Sequence, residues 1–187
     1  CDSAKWRDLA DHPCHPLRRA LLRREARLVR MVERRILERA TVTLVAAGRE
    51  REELLALAPT AANRIRVLGN GVDAQWFDPE QPFPCPYPAD DRPVLVFTGA
   101  MNYPPNVEAA LMVAREVLPR LEAAGRRVRF AVVGRDPVRA LRQLHDGHRV
   151  LVTGYVSDIR PWLAHATLAV VPLAIARGVQ NKLLEAM

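Results

Sequence analysis

The stretch "VLVFTGAMNYPPNVEAALMVAREVLPRLEAAGRRVRFAVVG", residues 94–134, decides the fold. It opens on an apolar run, 94–100, that ends at a Gly. The segment 104–125 carries Pro near its start and Gly at its end, as helix termini prefer. A second apolar run, 128–134, again ends on Gly. Strand, helix and strand in that order make a βαβ unit, whose right-handed crossover joins parallel strands. The alternation continues downstream. "PVRALRQLHD" (137–146) reads as helix, "VLVTGYV" (150–156) as strand and "IRPWLAHA" (159–166) as a short helix. "TLAVVPL" (167–173) reads as strand, and "VQNKLLEAM" (179–187) opens a helix. The strands are near-continuous apolar runs, as expected where helices cover both faces of a sheet. The sequence therefore predicts an α/β fold: a Rossmann-like, doubly wound parallel sheet with flanking helices.

Upstream lies "DPEQPFPCPYPADDRP" (78–93), with six prolines. Such a stretch is stiff, extended and unable to pair within a central sheet, so it reads as a linker at a domain boundary. Before it, residues 2–10 and 15–40 read as helices, "TVTLVAA" (41–47) as a buried strand and "REREELLALA" (49–58) as a charged helix. "RIRVLGNGVD" (64–73) reads as a second strand ending on Asn70-Gly71, a pair suited to the left-handed backbone of a tight turn. The expected division is a helical tail of an N-terminal domain over 1–77, the linker over 78–93 and an incomplete second domain over 94–187. The chain starts on Cys1 and ends inside a helix with no stop signal, so a piece of a longer protein is expected.

Composition narrows the function. Apolar residues make up 49% of the 187 positions, enough for a core. No apolar run approaches the roughly 18 residues that span a bilayer. Cys1, Cys14 and Cys85 are odd in number and far apart, and show neither a disulfide framework nor a metal spacing. A reducing, cytosolic setting is the plainer reading. The net charge is +7, and nine Arg against three Glu fall within 15–40. There Leu17, Leu21, Leu28, Val32 and Ile36 recur at helical spacings, giving an amphipathic helix with a basic outer face. A solvated helix with Glu/Arg pairs is one reading; contact with an anionic membrane surface is the second. Nucleic acid is not expected, because no stacking aromatics interleave the charges. The five His form no cluster in sequence, and no metalloprotease motif or nucleophile elbow occurs. Neither metal nor covalent catalysis is expected.

Ligands of open α/β sheets bind beyond the carboxyl ends of the strands. Four loops lie there. "TGAMNYPPN" places Gly99 where a ligand or another backbone can approach, or where the chain merely turns. "VGRDP" offers Gly134 and Arg135, the latter facing either a phosphate or solvent. "TGYVSD" offers Tyr155 for stacking on a base, or for loop packing. "ARGVQNKLLEAM" (176–187) combines the open backbone of Gly178, the cations Arg177 and Lys182, and a helix start with unpaired N–H groups. Glu185, one turn inside, suits a ribose diol. Together these parts describe a nucleoside diphosphate, against the plainer reading of a polar helix opening.

The series "RVLGNGVD", "WFDP", "VFTGAMNYPPNVEAA", "VVGRDP", "VTGYVSDIRPWLAHATLAVVPL" and "ARGVQNKLLEAM", with "DSAKW" near the start, resembles the family-four retaining glycosyltransferases of the two-Rossmann-domain (GT-B) type. Within them it is similar to the sugar transferases of bacterial exopolysaccharide clusters linked to the exosortase system. The resemblance covers the chain from about Asp2 to Met187. It implies transfer of a sugar from a UDP- or GDP-linked donor to a polysaccharide or lipid-linked acceptor, with retention of configuration and without a metal or other cofactor. It implies donor contacts from Gly99, Ala100 and Asn102, from Gly134 and Arg135, and from Tyr155 and Val156. It adds Arg177, Gly178, Val179, Gln180, Asn181, Lys182 and Glu185, with Glu185 on the nucleotide ribose. The family signature is two Glu separated by seven residues; Arg177 stands where the first would fall. Many relatives also carry an Arg and a Lys after the first strand, where this chain has "GAMNYPPN". Arg177 and Lys182 are expected to compensate. The acceptor-side residues fall outside this chain, so it is expected to turn over little by itself. A cytoplasmic enzyme, peripheral at the inner membrane, is implied. The rivals are a sugar-nucleotide epimerase of the same architecture, which needs acid/base groups not assembled here, and a non-catalytic basic module that docks on membrane.

Overall fold

The computed structural model describes residues 2–11, 15–174 and 179–187. The chain divides into two compact units. One extends to Gly71 and includes Val179 and Gln180; the other is Val72–Ala174 with Asn181–Met187.

In the first unit, α1 (Asp2–Asp11) lies against α2 (Pro16–Arg39). Pro16 opens α2, where its missing N–H costs nothing, and the His15 side chain accepts from Leu17 N. Glu33 of α2 accepts from the Ser3 hydroxyl and from Ser3 N. A small βαβ unit follows: β1 (Thr43–Val45), α3 (Gly48–Leu57), a 3-10 turn (Pro59–Arg64) and β2 (Ile65–Val67), parallel to β1. Leu37, Leu54, Ala58, Ala61 and Ile65 form its core.

Three expectations for this unit need correction. The strand expected over 41–47 shrinks to Thr43–Val45, and Leu44 is exposed, so it is not buried on both faces. This two-stranded sheet packs its buried side against α3 and Leu37 of α2. The Asn70-Gly71 pair does not adopt a left-handed turn, since neither residue has positive φ; Asn70 Nδ2 instead donates to Val179 O at 3.1 Å. The apolar stripe of α2 does not face a core either. Leu17, Leu21, Val32 and Ile36 are all more than half exposed, with Leu28 and Met31 beside them, and the burial of α2 rests on Leu22 and Leu37.

The second unit carries β3 (Val94–Thr98), α4 (Pro104–Met112), a π turn (Val113–Val117), α5 (Leu118–Ala123) and β4 (Arg129–Val133). Then come α6 (Arg139–Arg142), β5 (Val150–Gly154), α7 (Arg160–Ala164), β6 (Leu168–Ala169) and α8 (Asn181–Leu184). All strand pairs are parallel, in the order β5-β4-β3-β6. The π turn immediately precedes Pro119, which has no N–H for the usual bond to the carbonyl four residues back, so the helix widens there. Side chains alternate across the sheet. Phe97, Phe130, Val132 and Val150 pack with Ala109, Ala110, Val113 and Leu118 on one face. Val94, Val96, Ala131, Val133 and Leu151 pack with Trp162 and Leu163 on the other. The sequence-predicted α/β class holds, with helices on both faces.

Several elements are shorter than the apolar runs suggest. β6, at the edge opposite β5, keeps two residues, and its Leu168 is exposed. The helix expected over 137–146 is confined to Arg139–Arg142; beyond it, Asp146 captures the N–H groups of His148, Arg149 and Val150 in the turn into β5. The helix expected from 179 begins at Asn181. The Pro-rich segment pairs with no strand but folds against this unit: the Tyr87 hydroxyl donates to Trp162 O, and the Asp90 carboxylate meets Arg129.

Candidate functional site

Strand order reverses at β3. The chain steps outward from β3 to β4 and β5, then returns to pair β6 on the far side of β3. The covering helices change faces with it: α4 and α5 on one side, α7 on the other. Such a reversal leaves a crevice at the carboxyl ends of the strands, where open α/β sheets take ligands.

The crevice floor is built from two glycines. Gly134, at φ 152°, lies so close to the β3 turn that a Cβ on it would fall 1.7 Å from Gly99 O. Gly99 N donates to Val133 O at 3.1 Å, and Met101 N to Arg135 O at 2.8 Å, so the two loops are zipped together beyond the strands. Gly99, at φ 146°, faces side chains: a Cβ there would lie 2.7 Å from Asn106 Nδ2 and 3.1 Å from Lys182 Nζ. Both backbones need glycine.

Lys182, on α8, brings its ammonium to this floor. Nζ donates to Asn106 Oδ1 at 3.0 Å and sits 4.4 Å from the centre of the Phe97 ring, in cation–π range. Its half-buried position pushes its pKa down to about 8, opposed by the nearby Glu185 carboxylate. The cation thus remains largely charged at neutral pH while shedding much of its water, a state suited to meeting an anion. Among the described residues Asn106 is its one hydrogen-bond acceptor.

The other sequence-predicted residues are distributed as follows. Ala100 contributes its carbonyl, which accepts from Asn106 Nδ2 at 2.9 Å. Asn102 is exposed on the same loop. Arg135 is exposed, 3.9 Å from Asp136, whose φ of 55° makes it a left-handed non-glycine residue at the end of β4. Tyr155 is 77% exposed, free of packing that would occupy its ring, while Val156 packs against the α7 face. Glu185 N closes on Asn181 O at 2.9 Å, and the residue lines a cavity of about 80 Å³ with Phe77, Arg160 and Leu163. Val179 and Gln180 group with the first unit. Arg177 and Gly178 lie outside the described residues.

Lys182 and Gly99 are brought together; Arg135 and Tyr155 stand on neighbouring strand ends. Sequence reading missed Asn106 and Phe97. A signal for Asn106 was present: it occupies the helix position that continues through Ala109, Ala110 and Val113, an i, i+3, i+4, i+7 core stripe with one polar member.

The fold and the strand-order reversal define a Rossmann-like α/β domain. The family model described as Glycosyl transferases group 1 matches residues 92–187, more than half of the chain, and the chain belongs to that family. It is similar to Sulfoquinovosyl transferase SQD2 of Arabidopsis thaliana, at 29% identity over 127 residues. That alignment takes in 64% of this chain and 23% of the relative.

Proposed function

We propose that the protein is a retaining glycosyltransferase of family four, and that this chain carries the site for its nucleotide-sugar donor. The observation that carries the reading is the Lys182 ammonium at the strand-order reversal of a group 1 glycosyl transferase domain. Breaking the bond between anomeric carbon and diphosphate places negative charge on the leaving oxygen. A fixed cation in a partly dehydrated crevice stabilises that charge more than it stabilises the neutral bond, which is how such a group accelerates transfer. Arg177 serves the same diphosphate in this reading, in place of the family Glu. Tyr155 stacks on the base and Glu185 takes the ribose. The acceptor hydroxyl, on a polysaccharide or lipid-linked glycan of the kind made by exopolysaccharide clusters, attacks from the leaving-group face. Configuration is then retained. UDP is the expected nucleotide, with GDP as the alternative, and no metal is required.

The first test is calorimetry of the full-length protein with UDP, GDP and ADP. Selective binding of one, lost in Glu185→Ala, supports the donor site and names the base; a folded protein that binds none of them overturns it. Arg177→Glu should weaken the same binding, and an unchanged affinity removes Arg177 from the scheme.

A second feature favours work at a membrane surface. The exposed apolar residues of α2 lie beside Arg24, Arg27, Arg30 and Arg34, which line a cavity of about 950 Å³ with Leu28 and Met31. No helix among the described residues is long and apolar enough to cross a membrane. Peripheral attachment to the inner leaflet through residues 15–40 fits this pattern. Sedimentation with phosphatidylglycerol vesicles but not phosphatidylcholine vesicles, reversed by salt, is the expected result. Equal binding to both removes the electrostatic part of the proposal.

A further inference from the structure

We propose that Asn106 is a positioning residue: its side-chain amide holds the Lys182 ammonium over the open end of β3 and pins the loop that the donor phosphates approach. The inference rests on the donor-site reading above and adds to it a residue outside the expected donor contacts.

Asn106 is 6% exposed, in the first turn of α4. A buried amide requires partners at both ends, and here both belong to the crevice. Nδ2 donates to Ala100 O at 2.9 Å, fixing the loop after β3. Oδ1 accepts from Lys182 Nζ at 3.0 Å. The donated bond settles which end of the amide is oxygen, so the acceptor aims at Lys182. Gly99 clears the space for both groups, since a Cβ there would strike Nδ2 and crowd Nζ. The Phe97 ring supports the ammonium from the sheet side.

The choice of an amide is informative. A carboxylate at this position would pair with Lys182 outright and repel a diphosphate. It would also set an acceptor against the Ala100 carbonyl. An aliphatic side chain would leave that carbonyl only its longer 3.3 Å bond from Tyr103 N and would take from the ammonium its hydrogen-bond acceptor on α4. The neutral amide orients the cation and leaves its charge for a ligand. Glu185, just after α8, is the charged group acting on Lys182 among the described residues. From β3 and α4 the described contacts are the Phe97 ring and the Asn106 amide, both uncharged.

The test is a double-mutant cycle in the full-length protein, titrated with the diphosphate that the wild type prefers and with the matching nucleoside. Lys182→Ala should weaken diphosphate binding about tenfold, the loss expected for one charge-assisted contact, and leave nucleoside binding unchanged. Asn106→Ala should reproduce most of that loss, and the double variant should be no worse than Lys182→Ala alone. Asn106→Asp should also weaken diphosphate binding and shift to higher pH the midpoint at which affinity falls as Lys182 loses its proton. That shift does not follow from a packing role. If Asn106→Ala does not fold, the Asn106→Asp pH profile decides. Unchanged affinity in a folded Asn106→Ala, additive losses in the cycle, or an unmoved midpoint in Asn106→Asp overturns the inference while the donor site stands. A wild type that binds no diphosphate overturns both.

Discussion

Two cations at opposite ends of the same sheet are held in different ways. Arg129 opens β4 at the amino end, where only 1% of it is exposed. Each of its guanidinium nitrogens has a partner: Nη2 meets Asp90 Oδ2 at 2.6 Å, Nη1 donates to Pro88 O at 3.2 Å and Nε donates to His148 O at 2.9 Å. Lys182 stands at the carboxyl end, half-buried, with one acceptor among the described residues. A buried cation with a partner on each nitrogen fastens segments together; here it ties the Pro-rich stretch and the turn before β5 to the sheet. The proposed donor site places Lys182 at the opposite end of the sheet, against a single acceptor among the described residues.

The largest expected effect comes from closing the open end. In Gly134→Ala the new Cβ would overlap the Gly99 carbonyl, and alanine disfavours the backbone conformation that Gly134 adopts. Backbone has to move, so a loss of about 4 kcal/mol is expected, at the extreme for single substitutions. Urea unfolding monitored by tryptophan fluorescence reads this directly. A loss below about 1 kcal/mol would mean that the two loops separate easily, and that the crevice floor is soft.

Next is Arg129→Ala at the structural end. It removes three hydrogen bonds, takes from the Asp90 carboxylate and the His148 carbonyl their Arg129 donor and leaves a cavity behind. A loss of about 3 kcal/mol is expected, with nucleotide affinity of the folded fraction unchanged. The contrast fails if Arg129→Ala lowers affinity while stability holds.

Lys182 should behave in the opposite sense. Burial holds its folded-state pKa at about 8, below the ordinary 10.5 of an unfolded chain. Between those values the unfolded state binds more protons, so this residue makes the fold more stable as pH rises from 8 toward 10.5. The Tyr87 phenol works against it above pH 10, because burial pushes its pKa upward in the folded state. The wild type should therefore gain stability between pH 8 and 10 relative to Lys182→Met, in which the Tyr87 contribution cancels. Parallel urea midpoints for the two proteins across that range would show that Lys182 is not half-buried.

The interior of this design was legible in the sequence, and its margins were not. β3 and β4 show as apolar runs because both faces of those strands are buried; β5, at one edge, keeps Val150 and Leu151 buried. β6 shows the same kind of run, yet Leu168 is exposed; composition does not distinguish an edge strand from a central one. Asn70-Gly71 has the chemistry of a tight turn, but its partner is Val179, 109 positions away. Arg129 looks like a stray charge in an apolar strand until Pro88 and Asp90, 41 and 39 positions earlier, are seen against it. At the candidate site, the glycines and Lys182 stood out by residue type. Asn106 was hidden because its role depends on two partners brought to it by the fold.

The smallest expected effect isolates solvent as the cause of these differences. Arg34 Nε meets Glu38 Oε1 at 2.8 Å across one turn of α2, a separation close to that of Arg129 and Asp90. Both α2 side chains are about half exposed, so water screens the pair and competes for its hydrogen bonds. A double-mutant cycle of Arg34→Ala and Glu38→Ala should give a coupling of about 0.3 kcal/mol, fading with added salt. Alanine's higher helix propensity should offset part of each single loss. A coupling above about 1 kcal/mol that persists in salt would show that something in the full-length protein covers this face of α2 and excludes water from the pair. The exposed Leu17, Leu21 and Val32 would then be part of an interior, and the membrane reading of this helix would give way to a protein contact.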